Sequence, residues 1–313
     1  MQKIIAIVGP TASGKTAFSI ALAKRFGGEV VSADSMQIYK EMQIGTAKPD
    51  AKERNGVPHH LMSHVGVEST YNVAEYVQDA KEILGSLKER GVVPILCGGT
   101  GLYIQHLLES TDFFDIPILE EVRLRFQKMA EERGKDYLFD LLRERDPALA
   151  EHLHPNDLKR VIRGLEVFEA TGRPLSEFQR ESKRQSPYEV LYFGLNYKDR
   201  NVLYERIDRR VDLMMEAGLL EEVQELLKGH ALSATARAAI GYKELIDALD
   251  GKYSIDEAVD LIKQKSRNYA KRQLSWFRRN AEIHWFYPDE RGFEEILKDA
   301  CEMAEKFLEG DAK

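Results

Sequence analysis

Cysteine is scarce: Cys97 and Cys301 are the two in 313 residues. Two are too few for a framework of bridges, and neither belongs to a C-x-x-C pair, which predicts a reducing, cytoplasmic setting. Long apolar runs are missing as well; none reaches the ~18–20 residues that span a bilayer, so no membrane attachment is expected. The opening "MQKIIAIVGP" has no signal-peptide cleavage site and is not Arg- and Ser-rich, so neither a signal peptide nor an organellar leader is expected. Positive charge is not in excess, since 45 Lys and Arg face 52 Asp and Glu for a net charge of −7. That argues against a wholly basic nucleic-acid binder, yet leaves room for a local basic face. Tandem repeats and low-complexity segments are absent, and 43% hydrophobic with 31% charged residues excludes a disordered chain.

What is present begins with "GPTASGKT". Gly9, Pro10, Thr11, Ala12, Ser13, Gly14, Lys15 and Thr16 spell G-x-x-x-x-G-K-T between the apolar run "KIIAIV" and a helical pattern. In such a loop backbone N–H groups and the following helix dipole bind phosphate oxygens, Lys15 neutralises them, and the Thr16 hydroxyl can hold Mg²⁺. The motif names a ligand class and no reaction.

Short apolar runs at 3–8, 29–35 and 92–97 alternate with helical patterns. One of these starts at Asn72, whose partner Glu75 stands three residues on as in a helix N-cap. From about residue 112 to 187 the texture is charged and helical. "EVLYFGLNY" (189–197) restores a strand, long helices follow from Arg200 to Asn280, and "IHWFY" (283–287) reads as a last strand. The expected architecture is α/β: a P-loop-type parallel sheet flanked by helices, with an all-helical insertion domain. Residues 1–111 with 188–313 would form the core, and 112–187 the insertion.

A nucleotide hydrolase or kinase usually ends a second strand in an aspartate that secures the metal. Here "VVPILC" runs into Gly98, Gly99 and Thr100, with no carboxylate. "EVVSADS" does end near Asp34, which is either a chemical group or an ordinary turn cap.

Six further stretches fix the odds. "DSMQIYKEMQIGTAKP" (34–49), "HHLMSH" (59–64), "GGTGLYIQHLL" (98–108), "NDLKRVIRGLEVFEATGRPLS" (156–176), "RIDRRVDLMMEAGLLEEV" (206–223) and "AKRQLSWFRRN" (270–280) stand in this order. Together they resemble the bacterial tRNA dimethylallyltransferase family over nearly the whole chain. The resemblance implies transfer of a dimethylallyl group from its diphosphate to N6 of the adenosine 3′ of the tRNA anticodon, position 37. It implies Asp34 as general base, Thr100 between base and diphosphate, and Arg210, in preference to Arg206 or Arg209, on the diphosphate. Gly9–Thr16 become a pyrophosphate cradle with Mg²⁺, and any ATP binding is incidental. Ser35, Met36 and Gln37, with Arg123, Lys159, Arg160 and Arg163 in the insertion, match positions that touch the anticodon stem-loop. Where the family has a small residue in "R-A-L-E-V", this chain has Gly164, at about 1 kcal/mol of helix propensity.

"SRNYAKRQLSWFRRN" (266–280) carries five arginines and lysines and no acid. At helical pitch Arg267, Lys271 and Arg278 share one side, with Arg272 and Arg279 further round. These are expected to neutralise tRNA phosphates, while Tyr269 and Trp276 either stack on bases or pack inward. The target adenosine must be turned out of its stack to reach Asp34. His60 and His64 have helical i, i+4 spacing but no third ligand nearby, so zinc is not expected. Three other readings stay open: prenyl transfer to free adenine nucleotides, a P-loop small-molecule kinase, and a non-catalytic RNA binder. A monomer is expected.

Overall fold

In the first strand, β1 (Gln2–Val8), Ile4 through Val8 are completely buried. That is the mark of a central strand covered on both faces. The computed structural model describes residues 1–310 apart from Asp115, Ile118 and Lys183. Among the described residues the other strands are β2 (Glu29–Ser32), β3 (His59–His60), β4 (Pro94–Gly98), β5 (Tyr188–Leu195) and β6 (His284–Phe286). They pair in parallel in the order β3–β2–β4–β1–β5–β6. The phosphate loop therefore leaves the carboxyl end of a middle strand, where open α/β sheets bind ligands.

The alternation along β1 assigns its side chains to two cores. Ile4, Ala6 and Val8 face the helices Val73–Glu89 and Gly101–Leu108. Ile5 and Ile7 face the helices Lys15–Phe26 and Phe293–Glu309. Asn72 caps its helix as the sequence suggests: its Oδ1 accepts the Ala74 and Glu75 N–H groups, and Glu75 accepts the Asn72 N–H at 2.8 Å.

Two details differ from the sequence reading. The second strand stops at Ser32, so 33–35 leave the sheet and carry Asp34 clear of the ladder. The two-residue β3 was not foreseen, because "HHLMSH" has no strand periodicity.

The chain divides into two compact units, residues 1–108 with 186–313 and residues 109–185. In the first, the helices Arg200–Glu216, Leu219–Gly229, Tyr242–Leu249 and Ile255–Phe277 build a further core from Val211, Leu219, Tyr242 and Ile262. Ile38, Tyr39 and Met42 from the segment after Asp34 enter that core. In the second unit, Phe126, Leu138, Leu142, Val161 and Leu165 pack together. Gly164 has a reason there that helix propensity hides. A Cβ at this position would lie 2.7 Å from Leu142 and 2.8 Å from Leu149, so the glycine lets the helices close. Among the described residues no helix is long and apolar enough to cross a membrane.

Candidate active site

The helix Lys15–Phe26 starts with no acidic residue and no side-chain cap, which leaves its first amides for an anion. Lys15 folds back over the loop, its Nζ donating to the Pro10 carbonyl at 2.6 Å. Burial pulls its pKa down to about 8; the neighbouring Arg210 adds to this and Asp34 opposes it. A polar cavity of about 80 Å³ opens here, lined by Lys15, Thr16, Asp34, Gly99, Arg210 and Gln273 among others. The buried Ser13 hydroxyl has no hydrogen-bond partner.

A second cavity of about 300 Å³ shares Thr11, Asp34, Thr46, Arg210 and Tyr269 with the first. Beyond them its wall is largely apolar, with Ile207, Val211, Met214, Ile240 and Ile262. Ser35 and Met36 line this larger cavity, and Gln37 the smaller. Of the three candidate arginines, Arg210 lines both cavities and its Nη1 reaches the Thr11 hydroxyl at 3.4 Å. Arg206 instead donates to the Ala12 carbonyl at 3.1 Å and lies over the Tyr197 ring, and Arg209 is exposed.

Asp34 is both the turn cap and the acid in the cavity. Its Oδ1 accepts the N–H groups of Met36 at 2.9 Å and Gln37 at 3.2 Å. Thr100 follows β4, and its Oγ1 accepts the Ser35 N–H. Tyr269 completes the wall; burial and then the Asp34 charge push its hydroxyl up to about 12, and Thr100 and Gln273 are its partners.

Several residues that hold this site escaped the sequence reading. Glu222, within "RIDRRVDLMMEAGLLEEV", accepts the N–H groups of Gln43, Ile44 and Gly45 and the Tyr242 hydroxyl. Lys48 is buried and donates to the Tyr39 carbonyl and Ser63 Oγ, and burial lowers its pKa to about 8. The sequence carries no mark of this, because a lysine in "GTAKP" reads as an ordinary exposed charge until its burial is known.

The basic residues are spread unevenly. Arg267 is bound to Asp208 through both carboxylate oxygens, so its charge is compensated within the protein. The helix ends at Phe277, with Arg278 as its cap and the Arg279 N–H turned onto Trp276. Lys271 lies over Tyr204, Arg272 over Tyr269 and Arg279 over Trp276. Trp276 itself packs on Gly101. In the second unit Arg123 and Arg163 grip the fully buried Glu166, while Lys159 and Arg160 are exposed. His60 pairs with Glu29, and His64 sets its ring edge-on to Tyr71.

The donor set is one of oxygens, as a hard cation requires, and is too small to hold one without oxygens from a bound ligand. Thr16 offers a hydroxyl in the smaller cavity, while the Asp34 carboxylate there is held by the Met36 and Gln37 amides. Among the described residues no cluster of three His, Cys, Asp or Glu could hold a metal unaided.

The chain matches the family model for IPP transferase over residues 37–280. It is similar to the tRNA dimethylallyltransferase of Caldanaerobacter subterraneus subsp. tengcongensis, 48% identical with 96% of each chain covered. Among solved structures it is similar to the full-length tRNA isopentenylpyrophosphate transferase of Bacillus halodurans, at 41% identity and a TM-score of 0.76, covering 100% of this chain and 98% of that one. A eukaryotic dimethylallyltransferase acting on tRNA aligns at 31% identity and a TM-score of 0.77, over 92% of this chain and 74% of the other.

Proposed function

The chain belongs to the IPP transferase family, and from that premise we infer that it moves a dimethylallyl group from dimethylallyl diphosphate to N6 of an adenosine in tRNA. The observation that carries this reading is the meeting of two cavities at Asp34 and Arg210. A diphosphate fits the small polar one, and the larger one admits an allyl chain and a turned-out base.

The adenine amine is a weak nucleophile because its lone pair is delocalised into the ring. Asp34 takes the N6 proton as the N6–C1 bond forms. The C1–O bond breaks and its electron pair stays on the diphosphate, where Lys15, the loop amides and Arg210 stabilise the growing charge. The Thr16 hydroxyl would hold Mg²⁺, which when bound would add positive charge against the leaving diphosphate. Thr100 and Tyr269 border the base. Ser35, Met36 and Gln37 contact the nucleotide, while Lys271, Arg272, Arg278 and Arg279, with Arg123, Lys159, Arg160 and Arg163, serve the anticodon stem-loop phosphates. Adenosine 37 is the position we assign. One chain carries the whole set, so a monomer suffices, and a tRNA substrate sets the work in the cytoplasm.

Incubation with labelled dimethylallyl diphosphate and unmodified tRNA, followed by nucleoside analysis, tests this. Prenylated adenosine in tRNA and none on AMP is expected. Transfer to AMP alone would mark a free-nucleotide enzyme, and ATP turnover without transfer a kinase.

A further inference from the structure

Gln273 stands one turn after Tyr269 on the helix Ile255–Phe277, and its side chain is buried. Both ends of its carboxamide are used. Oε1 accepts the Thr11 N–H at 2.8 Å, and Nε2 donates to the Gly99 carbonyl at 3.0 Å. A Cβ on Gly99 would lie 2.1 Å from that Nε2, so the glycine leaves room for the amide. Because one partner only donates and the other only accepts, the orientation of the amide is fixed by its surroundings.

The two partners adjoin the two halves of the reaction. Thr11 carries the hydroxyl that Arg210 reaches, on the diphosphate side. Gly99 precedes Thr100, whose Oγ1 holds the Ser35 N–H beside Asp34. We propose that Gln273 is a positioning residue which sets the separation between the leaving-group cradle and the acceptor base. The inference rests on the transfer reaction above. Its physical basis is that in-line displacement tolerates little misplacement: an error of about 1 Å can cost about 10²-fold in rate. The same helix carries Lys271 and Arg272, so the element proposed to meet tRNA also gauges the phosphate loop.

The test uses the full chain, dimethylallyl diphosphate and unmodified tRNA. Gln273→Met keeps length and removes the hydrogen bonds to Thr11 and Gly99, together with the polar contact to the Tyr269 hydroxyl. Its kcat is expected to fall about 10²-fold, while the Kd for tRNA and for inorganic pyrophosphate stays within about threefold of wild type. A kcat within about threefold of wild type overturns the proposal. So does a loss confined to either Kd.

Gln273→Glu decides the matter if the methionine variant does not fold. It keeps the acceptor for Thr11 but regains a donor for Gly99 only when protonated, and burial raises its pKa. Its rate relative to wild type should therefore rise as pH falls from about 8 to about 6. Lys15, Asp34, His59, Cys97, Arg210 and Tyr269 face the same cavity, and Lys15 titrates at about 8, so the part of the rise below about pH 7, where that amine is charged in both proteins, isolates position 273. A pH-independent ratio overturns the proposal. No transfer by the wild type would sink the functional reading and this inference with it, whereas wild-type transfer matched by Gln273→Met sinks the inference alone.

Discussion

The Ser35 N–H donates to Thr100 Oγ1 at 3.0 Å, which ties the chain after β2 to the turn after β4 one residue beyond Asp34. The Thr100 N–H returns the link to the Ala33 carbonyl at 3.1 Å. Asp34 is thus flanked by two hydrogen bonds to one turn, while its own Oδ1 holds Met36 and Gln37. A carboxylate fixed in this way needs little reorganisation to take a proton.

Asp34 has two duties, and two substitutions separate them. Asp34→Asn keeps an Oδ1 acceptor for the Met36 and Gln37 amides and removes the base. It should lower kcat about 10²-fold or more with tRNA binding nearly intact. Asp34→Ala should add a loss of thermal stability, because the two amides lose their acceptor. Unimpaired turnover by Asp34→Asn in a single-turnover assay removes Asp34 from the chemistry.

Lys15 makes diphosphate binding depend on pH. Its folded-state pKa of about 8 lies below the ordinary 10.5 because burial penalises the charged form. The unfolded chain therefore binds more protons between those two values, and stability rises with pH across that window. Binding runs the other way: a diphosphate favours the charged amine, so affinity should fall as pH passes upward through about 8. Titration calorimetry with inorganic pyrophosphate checks this, and Lys15→Arg should lose that step. Lys48 also titrates near 8, so an unchanged step in Lys15→Arg would shift the assignment to that residue.

Glu222 holds the cavity wall from outside. Its carboxylate accepts three successive amides at Gln43, Ile44 and Gly45, next to Thr46, which lines both cavities. Glu222→Ala is expected to cost about 1–3 kcal/mol of stability through the unpaired amides. It should also lower kcat/KM about tenfold as Thr46 shifts. A melting curve and a steady-state assay on one preparation suffice; wild-type values in both would mean that this loop is held by other contacts.

How much of this was legible depends on sequence distance. The sheet and the phosphate loop could be read because their signals are local: an apolar run, a glycine loop, an Asn72 cap with Glu75 three residues on. Asp34 and Arg210 came through the family resemblance, because nothing adjacent in sequence distinguishes Arg210 from Arg206 or Arg209. The residues that join the pieces were not legible. Gln273 meets partners 262 and 174 positions away, and Glu222 meets amides nearly 180 away. A polar residue on a helix carries no mark of a partner so distant. Gly164 looked like a propensity cost, because the Leu142 and Leu149 side chains that need its space lie on other helices.

The helix after Ile255 should contribute to tRNA affinity through some of its cations and not others. Arg272→Ala or Arg279→Ala should weaken binding and reduce the slope of log K against log salt by about 0.7–0.9 each. Arg267→Ala should leave the slope unchanged, because Asp208 already neutralises that guanidinium. Equal slopes in all three variants would move the RNA face elsewhere.

Glu166 tests whether Arg123 and Arg163 are structural, RNA-binding or both. Burial pushes its carboxyl up, but Arg163 and Arg123 overcome that and hold it below the usual carboxylate range. Its contribution to stability is therefore present above the unfolded-state pKa near 4.5 and lost as pH falls through the lower folded value. Glu166→Ala leaves two partly exposed guanidiniums and the Leu119 N–H without their shared partner and should destabilise the 109–185 unit by about 1–3 kcal/mol. Arg123→Ala should cost less, since Arg163 and the Leu119 N–H still hold the carboxylate. If Arg123 also serves tRNA, its alanine variant weakens binding at temperatures well below its melting point. Wild-type affinity in a folded Arg123→Ala protein would leave Arg123 a purely structural residue.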